Sequence, residues 1–156
     1  MAPMTDIDDY DRKILMALQR DASRPVDTLA DEIGLSRNAT WRRMRRLEEA
    51  GIVTAKVALV DAAKVGLGLT VFIAVRTDRH DAAWAEAFSK AVARFPQITG
   101  VYRTSGELDY LIQARVADVA GYDRLYKDLI AKIELKDVSA SFVMEKLKET
   151  TSVPVT

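Results

Sequence analysis

The sequence of residues 29–51 is LADEIGLSRNATWRRMRRLEEAG, and its pattern predicts a short helix, a tight turn and a longer helix. Three apolar residues at helical spacing precede Gly34, a residue type suited to the left-handed conformation that ends many helices. Ser36 follows, and its hydroxyl can accept a hydrogen bond from an unpaired N–H group of the next turn. The second helix is predicted to run from about Arg37 to Ala50, before another glycine. The pattern is typical of a helix-turn-helix.

The longer helix is predicted to have one buried face and one exposed face. At about 100° per residue, the residues expected to face the protein are Thr40, Met44 and Leu47. The opposite side carries Asn38, Arg42, Arg45, Arg46 and Glu49. Residues 37–46 contain five arginines and neither an acidic residue nor a lysine. Arginine and asparagine make bidentate contacts with guanine and adenine, and arginine also binds phosphate.

A solvated helix face is the alternative explanation for this charge, because most runs of charged residues simply face water. The absence of lysine and the position of the glycine turn favour double-stranded DNA as a partner, since arginine suits bidentate recognition. The predicted DNA-binding residues are Ser36, Arg37, Asn38, Trp41, Arg42, Arg45 and Arg46.

The composition limits the other classes of protein. The chain has 156 residues, of which 49% are hydrophobic, so one or two domains with real cores are expected. It contains no cysteine, which excludes disulfides, thiolate nucleophiles and cysteine metal sites. We find no signal peptide, and the apolar stretches are far shorter than the roughly 20 residues of a membrane helix. A cytoplasmic protein that needs no metal or other cofactor is expected.

Residues 1–60 are predicted to form the helix-turn-helix domain. A first helix is expected over Asp6–Arg20, and Pro25 opens the second helix, where its missing N–H costs little. Residues 52–60 alternate weakly between apolar and polar types, which predicts a strand. Residues 61–68 are predicted to be a linker. The sequence Gly-Leu-Gly-Leu at 66–69 is interpreted as a hinge or turn, because it lacks the third glycine and the following helix of a dinucleotide-binding motif.

Residues 69–156 show a different pattern, in which strands and helices alternate. The predicted order is strand Leu69–Thr77, helix Asp81–Arg94, strand Ile98–Ser105, turn Gly106–Asp109, strand Tyr110–Val116, helix Val119–Ile133 and strand Val138–Lys148. The inward residues of the second of these helices are predicted to be Tyr122, Leu125, Tyr126, Leu129 and Ile130. The order is that of a ferredoxin-like domain, so the chain is α+β. Its helices would cover one face of the sheet, and the apolar side chains of the other face predict pairing with a second copy.

Several short motifs follow one another in a characteristic order along the chain. They include Asp11-Arg12-Lys13-Ile14-Leu15, Leu18-Gln19-Arg20-Asp21, Gly34-Leu35-Ser36, residues 42–52, Gly106-Glu107-Leu108-Asp109-Tyr110, Ser141-Phe142-Val143 and Thr150-Thr151-Ser152-Val153-Pro154. With these motifs the chain resembles, over nearly its full length, the Lrp/AsnC (feast/famine) family of transcriptional regulators. Each motif alone is weak, but the ordered set is specific.

The resemblance implies an N-terminal winged helix-turn-helix domain and a C-terminal domain that both oligomerises and senses amino acids. Dimers of this family assemble further, so a tetramer or octamer is expected. The family's effector, typically an amino acid, sits between neighbouring C-terminal domains near the glycine-aspartate turn. The implied effector-binding residues are Tyr102, Thr104, Gly106, Asp109, Thr150, Thr151 and Ser152. A regulator of genes for amino-acid metabolism or transport is therefore expected.

The chemistry of the implied effector site is reasonable for an amino acid. The carboxylate of Asp109 can accept hydrogen bonds from an ammonium group, while backbone N–H groups and hydroxyls can hold a carboxylate. The alternative is that residues 106–109 form only a hairpin turn, in which glycine and aspartate are ordinary.

Two other classes of function stay open at this point. The siroheme decarboxylases resemble the same family across both domains, but they rely on histidines, and this chain has only His80. A lone loop histidine is more often a solvent-exposed residue than a catalyst, and no other catalytic constellation is present in the sequence. The third class is a ligand-sensing oligomeric module that does not bind DNA.

Overall fold

The computed structural model describes residues 6–155, which fall into two compact units. The first unit extends to Leu59 and resumes at Lys148, and the second runs from Val60 to Leu147. The sequence-based division instead assigns all of residues 69–156 to the second domain. Residues 1–5 and Thr156, which the predicted domains include, lie outside the described residues. Among the helices of residues 6–155, none has the length and apolar character that crossing a membrane requires.

The first unit contains three helices, α1 (Asp9–Arg20), α2 (Val26–Ile33) and α3 (Arg37–Glu49). Helix α1 begins later than predicted because Asp8 is its N-cap. The Asp11 N–H donates to Asp8 Oδ1 at 2.9 Å, and the Asp8 N–H donates to Asp11 Oδ2 at 3.2 Å. These two bonds form a capping box, which satisfies N–H groups that a helix otherwise leaves unpaired.

The turn between α2 and α3 has the predicted chemistry. Gly34 follows α2 with φ +79°, and Ser36 precedes α3 with its hydroxyl accepting the Ala39 N–H at 3.2 Å. Pro25 stands at the N-cap of α2, one position before the first helical residue that the sequence predicts it to be. The helix-turn-helix is therefore confirmed in its elements and in its turn.

The core of the first unit lies between the three helices. Its buried residues include Ile14, Leu15, Ala17, Leu29, Ile33, Met44 and Leu47. Thr40, Met44 and Leu47 are all buried, which confirms the predicted inward face of α3. Val155, near the C-terminus, packs against the same core.

The predicted strand over residues 52–60 is wrong. Within the described part of the chain, the first unit contains helices and no strand, so the wing expected after α3 is not formed. Ile52 and Val53 pack against the helical core instead, which explains their apolar character without a sheet. Val57 and Leu59, which gave the rest of the alternating pattern, are exposed.

The second unit opens with a short 3₁₀ helix, Ala63–Val65, in the segment predicted as a linker. Its regular elements then follow as β1 (Leu69–Arg76), α4 (Ala82–Val92), β2 (Ile98–Arg103), β3 (Tyr110–Val116), α5 (Val119–Ile130) and β4 (Asp137–Phe142). The strands form one antiparallel sheet in the order β2-β3-β1-β4. This order confirms the ferredoxin-like prediction.

Strand β4 is shorter than the predicted Val138–Lys148. Its ladder with β1 ends where Phe142 pairs with Val71, and the Val143 N–H makes one more bond to the Thr70 carbonyl at 3.0 Å. Since β1 itself starts at Leu69, the chain after Val143 has no neighbouring strand with which to continue the ladder.

The helices α4 and α5 cover one face of the sheet with an aromatic and aliphatic core. Trp84 and Phe88 of α4 stack with ring centroids 5.1 Å apart, and Tyr110 lies 4.6 Å from Phe88. Leu125 and Leu129 of α5 are buried as predicted, but Ile130 is 42% exposed, so its predicted inward position is wrong. Helix α5 ends at Ile130, and the turn that follows brings Ile133 into the core instead.

The opposite face of the sheet carries apolar side chains without a covering helix in the second unit. Phe72 is 36% exposed and Tyr102 is 53% exposed. Leu111 pairs with Tyr102 across β2 and β3, and Ala74 lies on the neighbouring strand. We call this set of four residues the open sheet face.

Candidate DNA-binding helix and effector turn

Helix α3 is fixed against the protein by its inward residues and presents its other side to solvent. The buried Thr40 hydroxyl donates to the Ser36 carbonyl at 3.1 Å, which ties the first turn together. The predicted DNA-binding residues, namely Ser36, Arg37, Asn38, Trp41, Arg42, Arg45 and Arg46, are all exposed. Even the indole of Trp41 is 55% exposed, which leaves an amphipathic ring at the surface.

Three arginines of this surface have little to hold them in place. Arg37 Nε lies 3.0 Å from Asp27 Oδ1, and Arg45 Nη2 lies 3.3 Å from Glu49 Oε1. Exposed pairs of this kind contribute little free energy and exchange readily with other anions. Among residues 6–155, Arg42 forms no ion pair with any carboxylate. These guanidinium groups are therefore available to phosphates or base edges.

Two other arginines of α3 are bound to the start of α1. Arg43 Nη1 donates to Asp11 Oδ1 at 2.9 Å and to Asp8 Oδ2 at 2.7 Å, and Arg46 Nη2 donates to Asp11 Oδ2. Asp11 is fully buried. Breaking a buried pair on one side leaves an uncompensated charge, which is strongly destabilising. Asp11 therefore holds α3 against α1.

Two members of this cluster, Asp8 and Arg43, have shifted pKa values. The pKa of Asp8 is lowered, first by the backbone N–H of Asp11 and then by the Arg43 guanidinium. The pKa of Arg43 is raised by its hydrogen bonds to the two carboxylates. Both shifts favour the ionised pair.

Sequence reasoning missed this cluster. Acidic residues such as Asp9 and Asp11 are ordinary in the first turn of a helix, where they interact favourably with the helix dipole. Nothing in the spacing along the chain indicates that Asp11 meets residues more than thirty positions later. That Arg46 contacts DNA stays a prediction, and the structure adds a second partner for its side chain.

The turn that precedes β3 is closed by a compact set of hydrogen bonds. The Thr104 N–H donates to the Asp109 carbonyl at 2.9 Å, and the Thr104 hydroxyl donates to the Leu108 carbonyl at 2.6 Å. Gly106 lies between them with φ +116°, a conformation that few other residues adopt. Thr104, Gly106 and Asp109 are thus brought together in one turn.

The Asp109 carboxylate fixes this turn to the end of β1. Its Oδ2 atom accepts the Thr77 N–H at 2.8 Å, while its backbone N–H donates to the Val75 carbonyl at 3.1 Å. The other carboxylate oxygen, Oδ1, lies 3.8 Å from Nδ1 of the exposed His80. One oxygen therefore has a structural role, and the second lies beside an exposed histidine.

Tyr102 is separated from this turn by one residue and lies on the open sheet face. Its ring crosses Gly100, where a Cβ atom would come within 2.7 Å of the tyrosine hydroxyl. The other predicted effector residues, Thr150, Thr151 and Ser152, belong to the first unit. There the Ser152 N–H donates to the Thr150 hydroxyl at 3.1 Å. No single unit contains all seven predicted effector residues.

Two observations on the described residues bear on a metal or catalytic centre. Within residues 6–155, no three side chains of histidine, cysteine, aspartate or glutamate are grouped so that they could hold a metal ion. His80, the histidine on which an enzymatic function would depend, is an exposed loop residue beside Asp109.

A helix-turn-helix unit with an arginine-rich second helix, joined to a separate ferredoxin-like unit, defines a class of two-domain DNA-binding regulators. Residues 7–48 match the model of the AsnC-type helix-turn-helix domain, and residues 70–153 match the model of the Lrp/AsnC ligand binding domain. The chain belongs to the Lrp/AsnC family of transcriptional regulators.

Similar proteins agree with this assignment over the whole chain. The glutamate uptake regulatory protein of Zymomonas mobilis is 44% identical over 149 residues, which cover 96% of this chain and 91% of the relative. The DNA-binding transcriptional activator DecR of Escherichia coli is 42% identical, with 96% of this chain and 99% of the relative covered. The crystal structure of a Neisseria meningitidis transcriptional regulator in complex with L-methionine superposes with a TM-score of 0.91 at 34% identity and covers 96% of this chain and 97% of that one.

Proposed function

We propose that this protein is a sequence-specific DNA-binding regulator whose activity responds to an amino acid or a related small metabolite. The observation that carries the proposal is the exposed arginine face of α3 within a helix-turn-helix of the AsnC type. By analogy with its relatives, it would control genes of amino-acid metabolism or transport. Such a regulator would act in the cytoplasm, where the DNA is.

Helix α3 is the element that would enter the major groove. The N-terminal residues of a recognition helix contact base edges, while the preceding turn contacts the backbone. Arg42 and Asn38 are exposed and suit guanine and adenine, and Arg37 with Arg45 suits phosphate. Trp41 would pack against the sugar-phosphate backbone. Arg46 shares this surface but is held by Asp11, which favours a role in positioning α3.

The DNA-binding part of the proposal is tested by titrating the promoter region of the protein's own operon. Arg42→Ala is expected to weaken specific binding by about 1–3 kcal/mol, because it removes a contact to a base edge. Lys90→Ala, a change of an exposed side chain on α4 of the second unit, is the matched control and should leave binding unchanged. The absence of salt-sensitive binding by the unmodified protein would contradict the proposal.

The effector part of the proposal places the amino group of the ligand at Asp109. The Oδ1 atom faces the exposed His80, and Thr104 and Gly106 supply polar backbone in the same turn. The complex of the Neisseria meningitidis regulator with L-methionine supports an amino acid as the ligand class. Tyr102 is proposed to contribute its hydroxyl. That Thr150, Thr151 and Ser152 also contact the ligand is a separate proposal, because these residues belong to the first unit.

The effector part is tested by measuring the melting temperature with each of the twenty amino acids. A ligand at 100 times its dissociation constant raises stability by roughly 2.7 kcal/mol. Asp109→Asn should abolish that rise, since the variant keeps an acceptor for the Thr77 N–H but loses the negative charge. Asp128→Asn on α5 serves as the control. A rise that survives in Asp109→Asn would show that the effector binds elsewhere.

We propose a regulatory rather than an enzymatic role for this chain. The alternative, an activity like that of the siroheme decarboxylases, requires a tetrapyrrole. It predicts that the visible absorbance band of the tetrapyrrole shifts when the protein is added, whereas the regulatory proposal predicts no shift.

A further inference from the structure

The recognition helix carries more arginine than the proposed base and phosphate contacts use. Residues 37–46 contain five arginines and no acidic residue, and each of these guanidinium groups could attract DNA phosphate. Such attraction does not depend on sequence, so every guanidinium left free at the DNA-facing surface strengthens binding to any duplex. The number of arginines kept away from phosphate therefore sets the sequence-independent part of the affinity.

Arg46 lies on the same side of α3 as the arginines proposed to contact DNA. It follows Arg42 by four residues, which makes the two side chains neighbours on the helix surface. Its side chain is 49% exposed, close to the 54% of Arg45, so its position alone would allow a phosphate contact. The difference lies in the partner, because Arg45 pairs with the exposed Glu49 whereas Arg46 binds the fully buried carboxylate of Asp11.

The burial of Asp11 makes this pairing hard to exchange. Its Oδ2 atom accepts from Arg46 Nη2, and its Oδ1 atom accepts from Arg43 Nη1 at 2.9 Å. Arg43 also donates to Asp8 at 2.7 Å, so two carboxylates and two guanidiniums form a cluster without net charge. Release of Arg46 would leave two carboxylates facing one guanidinium, one of them buried, which is far more costly than opening an exposed pair.

We propose that Asp11 is a specificity-determining residue, which keeps Arg46 away from DNA phosphate while it fixes α3 for base readout. This inference rests on the proposed function, because it assumes that α3 binds DNA. Loss of the Asp11 charge releases Arg46 to phosphate and loosens α3 on α1. The first effect strengthens binding to any duplex, and the second weakens the contacts that distinguish sequences. The ratio of the operator affinity to the affinity for other DNA therefore decreases.

The test compares variants of the full-length protein on two duplexes. One duplex carries the promoter region of the protein's own operon, and the other has the same length and composition in scrambled order. Asp11→Asn keeps the shape of the side chain and one acceptor but removes the charge. Asp8→Asn is the matched control, because it changes the net charge equally, leaves both arginines bound to Asp11 and keeps a residue type suited to an N-cap. A double variant combines Asp11→Asn with Arg46→Gln.

Asp11→Asn is expected to bind the scrambled duplex about threefold to tenfold more tightly at about 0.1 M salt, because one phosphate contact is added. The slope of log affinity against log salt should become steeper by about 0.9, and the ratio of the two affinities should fall by about threefold or more. Asp8→Asn should change neither the slope nor the ratio. The double variant should return the slope to that of the unmodified protein, because the released side chain is gone.

Three results would overturn the inference. An unchanged slope in Asp11→Asn would show that Arg46 is not released to phosphate. An equally steep slope in Asp8→Asn would show an effect of net charge alone. A slope that stays steep in the double variant would assign the added contact to another residue.

Arg46→Gln decides the question if circular dichroism shows that Asp11→Asn does not fold. Its half-exposed side chain should contribute nothing to the salt slope, and a slope reduced by about one would show that Arg46 already contacts phosphate and would overturn the inference. Absence of binding by the unmodified protein to either duplex is a different failure. That result contradicts the proposed function itself, and the inference with it.

Discussion

The side chain of Arg46 illustrates how one residue can satisfy two sets of requirements. On a helical wheel it lies with the residues expected to contact DNA, yet its guanidinium donates to the buried carboxylate of Asp11. A phosphate contact contributes to the salt dependence of DNA binding, whereas a buried ion pair contributes to the free energy of unfolding. These two contributions can be measured separately.

We expect Arg46→Gln to lower the melting temperature while leaving the salt dependence of DNA binding unchanged, because its main partner is Asp11. Arg45→Gln, at a residue proposed to contact phosphate, is the matched comparison and should behave in the opposite way, reducing the slope of log affinity against log salt by about one. The measurements are thermal unfolding and promoter titration at several salt concentrations. A reduced salt slope in Arg46→Gln would restore this residue to the DNA contacts.

Among the elements, those set by local chemistry could be predicted from the sequence. Gly34 and Ser36 mark the turn and the start of α3 because their roles depend on their own backbone and hydroxyl, and the structure has both where expected. The order of the second unit could be predicted for the same reason, since each strand and helix shows its own periodicity. The outward positions on α3 needed only the helical repeat.

Elements that depend on distant partners could not be predicted. The alternating pattern after α3 indicated a strand, but a strand needs a neighbour, and the apolar Ile52 and Val53 found the helical core instead. The pairing of Asp11 with α3 and of Gln19 with Val153 joins residues far apart in sequence, so no local pattern could indicate either. The resemblance supplied the effector residues, but only the structure shows that Asp109 also holds β1.

The turn between α2 and α3 allows a prediction at the level of an element. A Cβ atom at Gly34 would meet nothing within 4 Å, so any cost of Gly34→Ala arises from its φ of +79° alone. We expect a destabilisation of about 1–2 kcal/mol, measured by denaturant unfolding. Gly68→Ala is the control, because its φ is not positive and its Cβ would meet Ala63 at an ordinary 3.7 Å. Equal stability of the two variants would contradict this explanation of the turn.

At the scale of the whole molecule, the open sheet face is the surface that could bring two copies of the chain together. Apolar residues such as Phe72 on an uncovered sheet favour burial against a second copy, and two copies could contact two half-sites of an operator. We propose a homodimer through this face, with assembly to a tetramer or octamer through further contacts.

Phe72→Glu is expected to shift the protein to the monomer and to weaken operator binding, because it places an unpaired charge in the proposed interface. Lys132→Glu on the helix side of the unit is the matched control and should leave the assembly intact. Light scattering after size exclusion measures the mass. If Phe72→Glu keeps the mass of the unmodified protein, the copies associate through another surface.

The C-terminal segment that begins at Lys148 has a consequence for how the protein is made. Helices α1, α2 and α3 leave the ribosome early. The segment from Lys148 onward, which completes the same unit, is synthesised only after the whole second unit. Domains generally fold as they emerge, so the nascent chain could form its recognition helix well before the segment from Lys148 onward is synthesised. A product of translation interrupted before Lys148 would therefore retain α3 and lack Val153, the residue that Gln19 holds. Closure of the first unit is therefore a later step than the folding of its three helices.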